Sequence, residues 1–207
     1  MIGTISPLVQ VAPRQWRSSI TLYVLGSISG GAVAFAALAF LGHLMLGGIG
    51  MSGRWAVAGI CSMPLAASQL GVIRLPMPWF YRAVPQRWWV SLGRRRASFL
   101  YGLVLGIGLT TSIPFYTYFI VLLWTILQGD PVYGLIVGVV YGFARALPVL
   151  IAGAWVKGQV DSPTPYDAAG RVTDYILAGR RSVQSLTGTL GVVFAAALLS
   201  AYVVTPW

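Results

Sequence analysis

The sequence from Ile20 to Leu46 reads ITLYVLGSISGGAVAFAALAFLGHLML and contains no Lys, Arg, Asp or Glu. About 20 mostly apolar residues are enough to cross the hydrocarbon core of a bilayer. A run of this length without a charge predicts a membrane-spanning α-helix, because a soluble helix needs a polar face toward water. This segment therefore predicts an integral membrane protein.

The composition of the whole chain agrees with that prediction. Of its 207 residues, 57% are hydrophobic and only 9% are charged, whereas a soluble domain carries about 25% charged residues. The formal net charge is +10, but the basic residues lie between long apolar runs and not on one soluble face. This distribution excludes nucleic acid as a partner and favours contact with anionic lipid headgroups.

Four further apolar segments are predicted to span the membrane, which gives about five transmembrane helices. The five predicted spans are 20–46, 55–73, 98–127, 131–156 and 186–204. The span over 98–127 is longer than the hydrocarbon requires, so it is expected to tilt or to be broken. The predicted fold class is all-α, a polytopic helical bundle that forms a single transmembrane domain over residues 1–207.

The positive charges alternate between the two sides of these spans. Twelve Lys and Arg lie before the first span or in the connections 74–97 and 157–185, and one, Arg54, lies on the other side. The positive-inside rule assigns the side with twelve charges to the cytoplasm. We therefore predict a multi-pass protein of the plasma or inner membrane, with its N-terminus inside, its C-terminus outside, and cytoplasmic loops over 74–97 and 157–185.

The chain contains few side chains that commonly act in catalysis or metal binding. The chain has one cysteine, Cys61, and one histidine, His43. One cysteine excludes an internal disulfide and a Cys-x-x-Cys site, and one histidine disfavours a metal cluster or a catalytic triad. We therefore expect no catalytic residue, no metal and no cofactor, and a protein that is not an enzyme.

Arg145 interrupts the fourth predicted span and is the most informative polar residue. A central arginine costs about 2.5 kcal/mol or more to insert, so it faces protein, water or a partner. At 1.5 Å per residue, Arg145, Pro114 and Gln69 are predicted to lie at one level near the bilayer centre. The candidate contact residues for a substrate or partner are Arg145, Gln69, Thr111, Ser112, Pro114 and Pro148.

Two interpretations of Arg145 stay open from the sequence. In the first, carbonyl groups freed by Pro114 and Pro148, or an acid of another subunit, hold the guanidinium in a structural role. In the second, Arg145 provides an electropositive site for an anion or a translocated polar substrate.

Three motifs between Phe99 and Trp155 resemble a known family of membrane proteins. They are Gly102-Leu-Val-Leu-Gly106, Thr111-Ser-Ile-Pro114 and Tyr141-Gly-Phe-Ala-Arg-Ala-Leu-Pro148. This stretch resembles the second half of the CcdA/DsbD family of membrane thiol electron carriers, the transmembrane region of cytochrome c biogenesis proteins. The resemblance implies six spans in two inverted halves, with the present chain beginning at the second span.

The chemistry of that family requires two cysteines, one in each half, because thiol–disulfide exchange needs a thiolate. Thr111 stands where the second-half cysteine would be, and Cys61 has no partner cysteine in this chain. The resemblance therefore implies a divergent member that keeps the fold without the redox cysteine pair.

Three functions remain open at this point. The first is a non-catalytic accessory or scaffold subunit of a larger membrane complex, with other membrane subunits as partners. The second is a small-solute or anion transporter that uses the site around Arg145. The third is a thiol redox protein that uses Cys61 together with a cysteine of a partner protein.

Overall fold

The computed structural model describes residues 13–76, 92–108, 115–158 and 165–204. Within these ranges it contains six α-helices and no β-strand, which confirms the all-helical prediction. The helices are α1 (Pro13–Leu46), α2 (Met51–Gln69), α3 (Arg94–Ile107), α4 (Thr117–Gln128), α5 (Pro131–Gly158) and α6 (Pro165–Val204).

Local sequence explains where several helices begin and end. Gly108 and Gly129 directly follow α3 and α4 and have φ angles of 76° and 64°. Glycine adopts this left-handed conformation at no steric cost, so it is the usual residue just past a helix end. Asp130 then caps the start of α5, because its Oδ1 accepts a hydrogen bond of 2.9 Å from the backbone N–H of Val132. Pro131 fits the first helical position.

Three of the described helices contain stretches that are long and apolar enough to cross a membrane. They are Ser18–Leu46, Pro131–Ile151 and Ser182–Val204. These stretches coincide with the first, fourth and fifth predicted spans and indicate a membrane protein.

The other segments differ from their predicted bounds. The run 98–127, which is expected from its length to tilt or to be broken, is broken: α3 ends at Ile107 and α4 begins at Thr117. The predicted second span, 55–73, corresponds to α2, which ends at Gln69 and is followed by Gly71 with a φ of 81°. Helix α6 begins at Pro165, inside the segment predicted as the loop 157–185, and continues through the fifth span.

Large apolar side chains are exposed on these helices, and small polar side chains are buried. Val33 is 70% exposed and Ile60 is 64% exposed, whereas Ser27 and Thr125 are fully buried. A soluble protein buries its large apolar groups because water disfavours them. Lipid tails impose no such penalty, and small residues bring transmembrane helices close together. The burial pattern therefore agrees with helices that face lipid.

The helices form two compact units. Unit one contains the described residues 13–34, 92–108, 138–158 and 165–179. Unit two contains the described residues 35–76, 115–137 and 180–204. Each unit is described by itself below.

In unit one, α1 and α3 run in parallel and meet through glycines on both sides. A Cβ atom at Gly26 would collide with the carbonyl oxygen of Phe99, and one at Gly30 with the carbonyl oxygen of Leu103. Conversely, a Cβ atom at Gly102 of α3 would collide with the carbonyl oxygen of Tyr23 of α1. The Gly-x-x-x-Gly spacing on each helix thus lets the two backbones touch.

Helix α5 runs antiparallel to α1 in the same unit. Gly138 lies against the backbone of Gly31, and Gly142 against the backbone of Ser27. The Ser27 hydroxyl donates a buried hydrogen bond of 2.7 Å to the carbonyl oxygen of Gly142. This bond fixes the register of α5 on α1. It therefore determines which residues of the two helices lie side by side.

Unit two is packed by small residues as well. Helix α2 packs against α4, and Gly59 and Ala66 of α2 contact Leu199 and Gly191 of α6. The rings of Trp124 on α4 and Phe194 on α6 meet edge to face with centroids 5.4 Å apart. Aromatic pairs in this geometry add about 0.5–1.5 kcal/mol beyond their burial.

Candidate functional site

Arg145 lies on α5 in unit one, where its side chain is half-buried. Because Gly142 is opposite Ser27 in an antiparallel pair, a residue one turn later on α5 lies beside one a turn earlier on α1. Arg145 accordingly interacts electrostatically with Tyr23 of α1, and also with Tyr141 on its own helix.

Tyr23 joins a third helix to this cluster. Its side chain is only 1% exposed, and its ring lies 6.1 Å from the ring of Tyr101 on α3, centroid to centroid. Tyr23 thus interacts with Tyr101 of α3 and with Arg145 of α5, so residues of three helices form a connected polar cluster. The cluster offers a cation and phenolic hydroxyl donors, which is a set of groups suited to holding an acceptor or an anion.

The remaining predicted partners of Arg145 are placed as follows. Pro148 lies inside α5, exposed, and the helix continues through it to Gly158. The predictions for Thr111, Ser112 and Pro114 concern residues that lie outside the described ranges.

Gln69 occupies a second polar position, in unit two. It is 7% exposed, and both ends of its amide are bonded within the chain. The backbone N–H of Tyr116 donates to Gln69 Oε1 at 2.7 Å, and Gln69 Nε2 donates to Thr187 Oγ1 at 3.2 Å. Gln69 thus connects the end of α2 to the start of α4 and to α6. That Gln69 and Arg145 contribute to one site remains a prediction.

Arg54 is the polar residue whose role sequence reasoning missed. Its guanidinium group donates to four carbonyl oxygens: Leu46 at 2.7 Å, Ile49 at 3.0 Å, and Leu127 and Gln128 at 3.2 Å each. Leu46 is the last residue of α1 and Gln128 the last of α4. The carbonyls at a helix end have no intrahelical partner and carry partial negative charge, so one cation stabilises both ends.

The sequence contains a partial signal for this role. Arg54 is the only Lys or Arg in its connection, and it follows Gly47 and Gly48, which end α1. A basic residue close to a helix C-terminus is a known way to bind the last carbonyls. The second helix end, at Gln128, is more than 70 residues away in the chain, and no local pattern indicates it.

The structure also places the single cysteine and most of the residue types that can bind a metal. Cys61 is a free, exposed thiol on α2. Among the described residues, no group of three or more His, Cys, Asp or Glu side chains is placed to hold a metal ion.

Comparison with known proteins gave no relatives: no family model, no curated protein and no solved structure matches this chain.

Proposed function

We propose that this chain is a non-catalytic integral membrane subunit that assembles with other membrane proteins. The observation that carries this proposal is the outward face of α6. Ser182, Ser185 and Thr189 are exposed there, inside a stretch that is apolar enough to span a membrane. With Leu186 and Leu190 they line an open groove along the helix.

A face of this kind suits a partner helix better than lipid. Small and hydroxyl side chains let a second helix approach closely and can share hydrogen bonds with it. The Thr189 hydroxyl donates to the carbonyl oxygen of Ser185 at 3.0 Å. Its donor is therefore satisfied even when no partner helix covers this face. The proposed occupant is a transmembrane helix of another membrane protein.

The internal polar contacts support the same proposal. Arg54, Gln69 and Ser27 all use their side chains to hold helices of this chain to one another. Their roles are structural, as a scaffold requires. The resemblance to CcdA/DsbD proteins adds the proposal that the scaffold descends from such a carrier and lost its redox cysteines.

Purification of the tagged chain in a gentle detergent, followed by mass spectrometry, tests this function. The expected result is a membrane protein partner in stoichiometric amount, which is lost when Ser185 and Thr189 are both changed to Leu. Val33→Leu is the matched control, because Val33 is an exposed apolar residue of α1. Isolation of the unmodified chain without a partner would contradict the proposal.

A small-solute or anion transporter is the second candidate, favoured by the interruption between α3 and α4. These helices have 14 and 12 residues, or about 21 and 18 Å at 1.5 Å per residue, so each is shorter than the hydrocarbon core. Discontinuous helices often mark transport sites.

Arg145→Leu separates the two candidates. If Arg145 is a subunit contact, the variant should fold but no longer co-purify with its partner. If it binds a substrate, the variant should keep its partner and lose uptake into vesicles. Arg145→Lys should retain little of the partner binding or of the uptake, whichever Arg145 supports, because an ammonium group cannot reproduce the planar guanidinium.

A further inference from the structure

One end of the helix pair α1 and α3 carries a high density of positive charge. Helix α3 begins with three consecutive arginines, Arg94, Arg95 and Arg96, and the side chains of Arg95 and Arg96 are exposed. Helix α1 carries Arg14 and Arg17 in its first two turns. The two groups are far apart in the sequence, so the packing of the helices decides whether they form one surface.

The glycine contacts between the two helices bring these groups to the same level. Gly102 of α3 lies against the carbonyl oxygen of Tyr23 of α1, and the two helices run parallel. Six residues before this contact, or about 9 Å along each helix axis, stand Arg17 on α1 and Arg96 on α3. The arginines therefore share one end of unit one. We call Arg17 and the three arginines 94–96 the arginine patch.

The arginine patch is electrostatically unfavourable for the helices that carry it. The N-terminus of a helix is the positive end of its dipole, where an acid is stabilising and a cation is not. Neither α1 nor α3 has an acidic residue in its first turn, and Gly93 before α3 provides no side-chain cap. Like charges in close succession also repel one another. An anion bound at this end would therefore stabilise both helices.

The depth of the arginine patch favours a lipid as the source of that anion. The stretch of α1 that is long and apolar enough to span a membrane begins at Ser18, directly after Arg17. Basic residues at such a boundary lie at the level of the lipid headgroups. Arg96 lies at the same level by the register of α3 on α1. Guanidinium groups bind phosphate oxygens through paired N–H donors, and these charge-assisted bonds are strong.

We propose that the arginine patch binds the headgroup of an anionic phospholipid, with α1 and α3 contributing to one site. The sequence predicts only a general attraction of the basic residues to anionic headgroups. The proposed site is more specific, because it excludes exposed arginines elsewhere, such as Arg74 of unit two. It also goes beyond the scaffold function, since the groove on α6 takes no part in it.

Native mass spectrometry of the purified full-length chain in detergent tests the proposal. Phosphatidylglycerol is the anionic probe, and phosphatidylcholine with the same acyl chains is the comparison without net charge. We expect saturable binding of phosphatidylglycerol with an affinity about tenfold or more above that of phosphatidylcholine, because several arginines act on one headgroup.

Arg96→Gln is the decisive variant, because it removes one exposed charge and leaves the glycine contacts of α3 unchanged. We expect it to weaken the binding of phosphatidylglycerol by about fivefold, the effect of one arginine close to an anionic surface. Arg17→Gln should weaken binding to a similar extent, since its level on α1 places it in the same site. Arg74→Gln is the matched control and should leave the affinity unchanged, because Arg74 is exposed but belongs to unit two.

Four results would overturn the proposal. Equal binding of the two lipids would show that the headgroup charge is not recognised. Equal loss of affinity in Arg96→Gln and Arg74→Gln would reduce the effect to a general attraction. Unchanged affinity in Arg17→Gln would show that α1 contributes nothing to the site. Saturable binding of a polyglutamate peptide in place of phosphatidylglycerol would assign the arginine patch to an acidic protein segment.

Discussion

The guanidinium group of Arg54 lies where α1 and α4 end, and four carbonyl oxygens surround it. The sequence presents this residue only as the single positive charge between the first two predicted spans. The structure shows that its charge serves two helix termini at once. It therefore stabilises the fold of unit two.

Arg54→Met should destabilise the protein by about 2 kcal/mol, because it removes charge-assisted hydrogen bonds to several carbonyls and keeps the length of the side chain. Thermal unfolding in detergent measures the loss. Arg74→Met is the control, since Arg74 is exposed. Equal effects of the two changes would show that the carbonyl contacts of Arg54 contribute nothing to stability.

Gln69 should couple energetically to Thr187. Its Nε2 donates to Thr187 Oγ1, so a double-mutant cycle of Gln69→Leu and Thr187→Val should give a coupling energy of about 1 kcal/mol. Thr189→Val provides the comparison, because Thr189 is exposed and its hydroxyl, like that of Thr187, donates to the carbonyl oxygen four residues earlier on the same helix. A coupling to Thr189 as large as that to Thr187 would contradict this assignment.

At the scale of the helices, glycine contacts decide how closely α1 approaches α3 and α5. The Gly-x-x-x-Gly spacings in the sequence predict close-packed faces, and in unit one Gly102, Gly138 and Gly142 do lie against the α1 backbone. The pattern does not say which two helices meet. The pairing of helices depends on glycines on both partners, and Gly26 and Gly30 of α1 lie directly against the backbone of α3.

Gly102→Ala and Gly179→Ala should change stability in opposite directions. A methyl group at Gly102 would overlap the carbonyl oxygen of Tyr23, and such overpacking costs about 1–3 kcal/mol. Gly179 lies within α6 with open space around it, so alanine there should stabilise the helix by about 0.5–1 kcal/mol. Thermal unfolding of both variants in one detergent gives the comparison, and destabilisation by both changes would contradict the steric explanation.

At the scale of the whole molecule, the sequence predicts which segments are apolar better than it predicts where helices break. The end of the first span, Leu46, is the end of α1, because Gly47 and Gly48 follow it. The run 98–127 contains no charged residue and is expected to tilt or to be broken, but only the structure shows that Gly108 adopts a left-handed conformation and ends α3 inside it. Hydropathy does not register a change of one backbone dihedral.

The sequence likewise predicts one part of the candidate site and not the other. A charge within an apolar run identifies Arg145 from the sequence alone. Its neighbour Tyr23 is an ordinary aromatic residue in the sequence, and it interacts with Arg145 through the register that Ser27 and Gly142 impose. Contacts between residues more than 100 positions apart require the packing of the helices, which no local pattern contains.

The orientation predicted from the charges is tested by labelling single cysteines in intact cells, in a Cys61→Ser background. We expect an impermeant thiol reagent to label Gly48→Cys, which lies in the connection that carries one positive charge. Ser162→Cys, in the predicted cytoplasmic loop, should be labelled only after the membrane is permeabilised. The opposite pattern would invert the topology, and equal labelling of both before permeabilisation would contradict the span count.

The glycine contacts between α1 and α3 also bear on how this sequence can vary. Every other amino acid adds at least a methyl group at Gly26, Gly30 or Gly102, and each site already touches a carbonyl oxygen of the neighbouring helix. Outward positions such as Val33 need only remain apolar. Over evolutionary time, the outer surface is therefore free to diverge while a few crossing points stay fixed. In distant homologues, the spacing of these glycines would remain recognisable after overall sequence identity is lost.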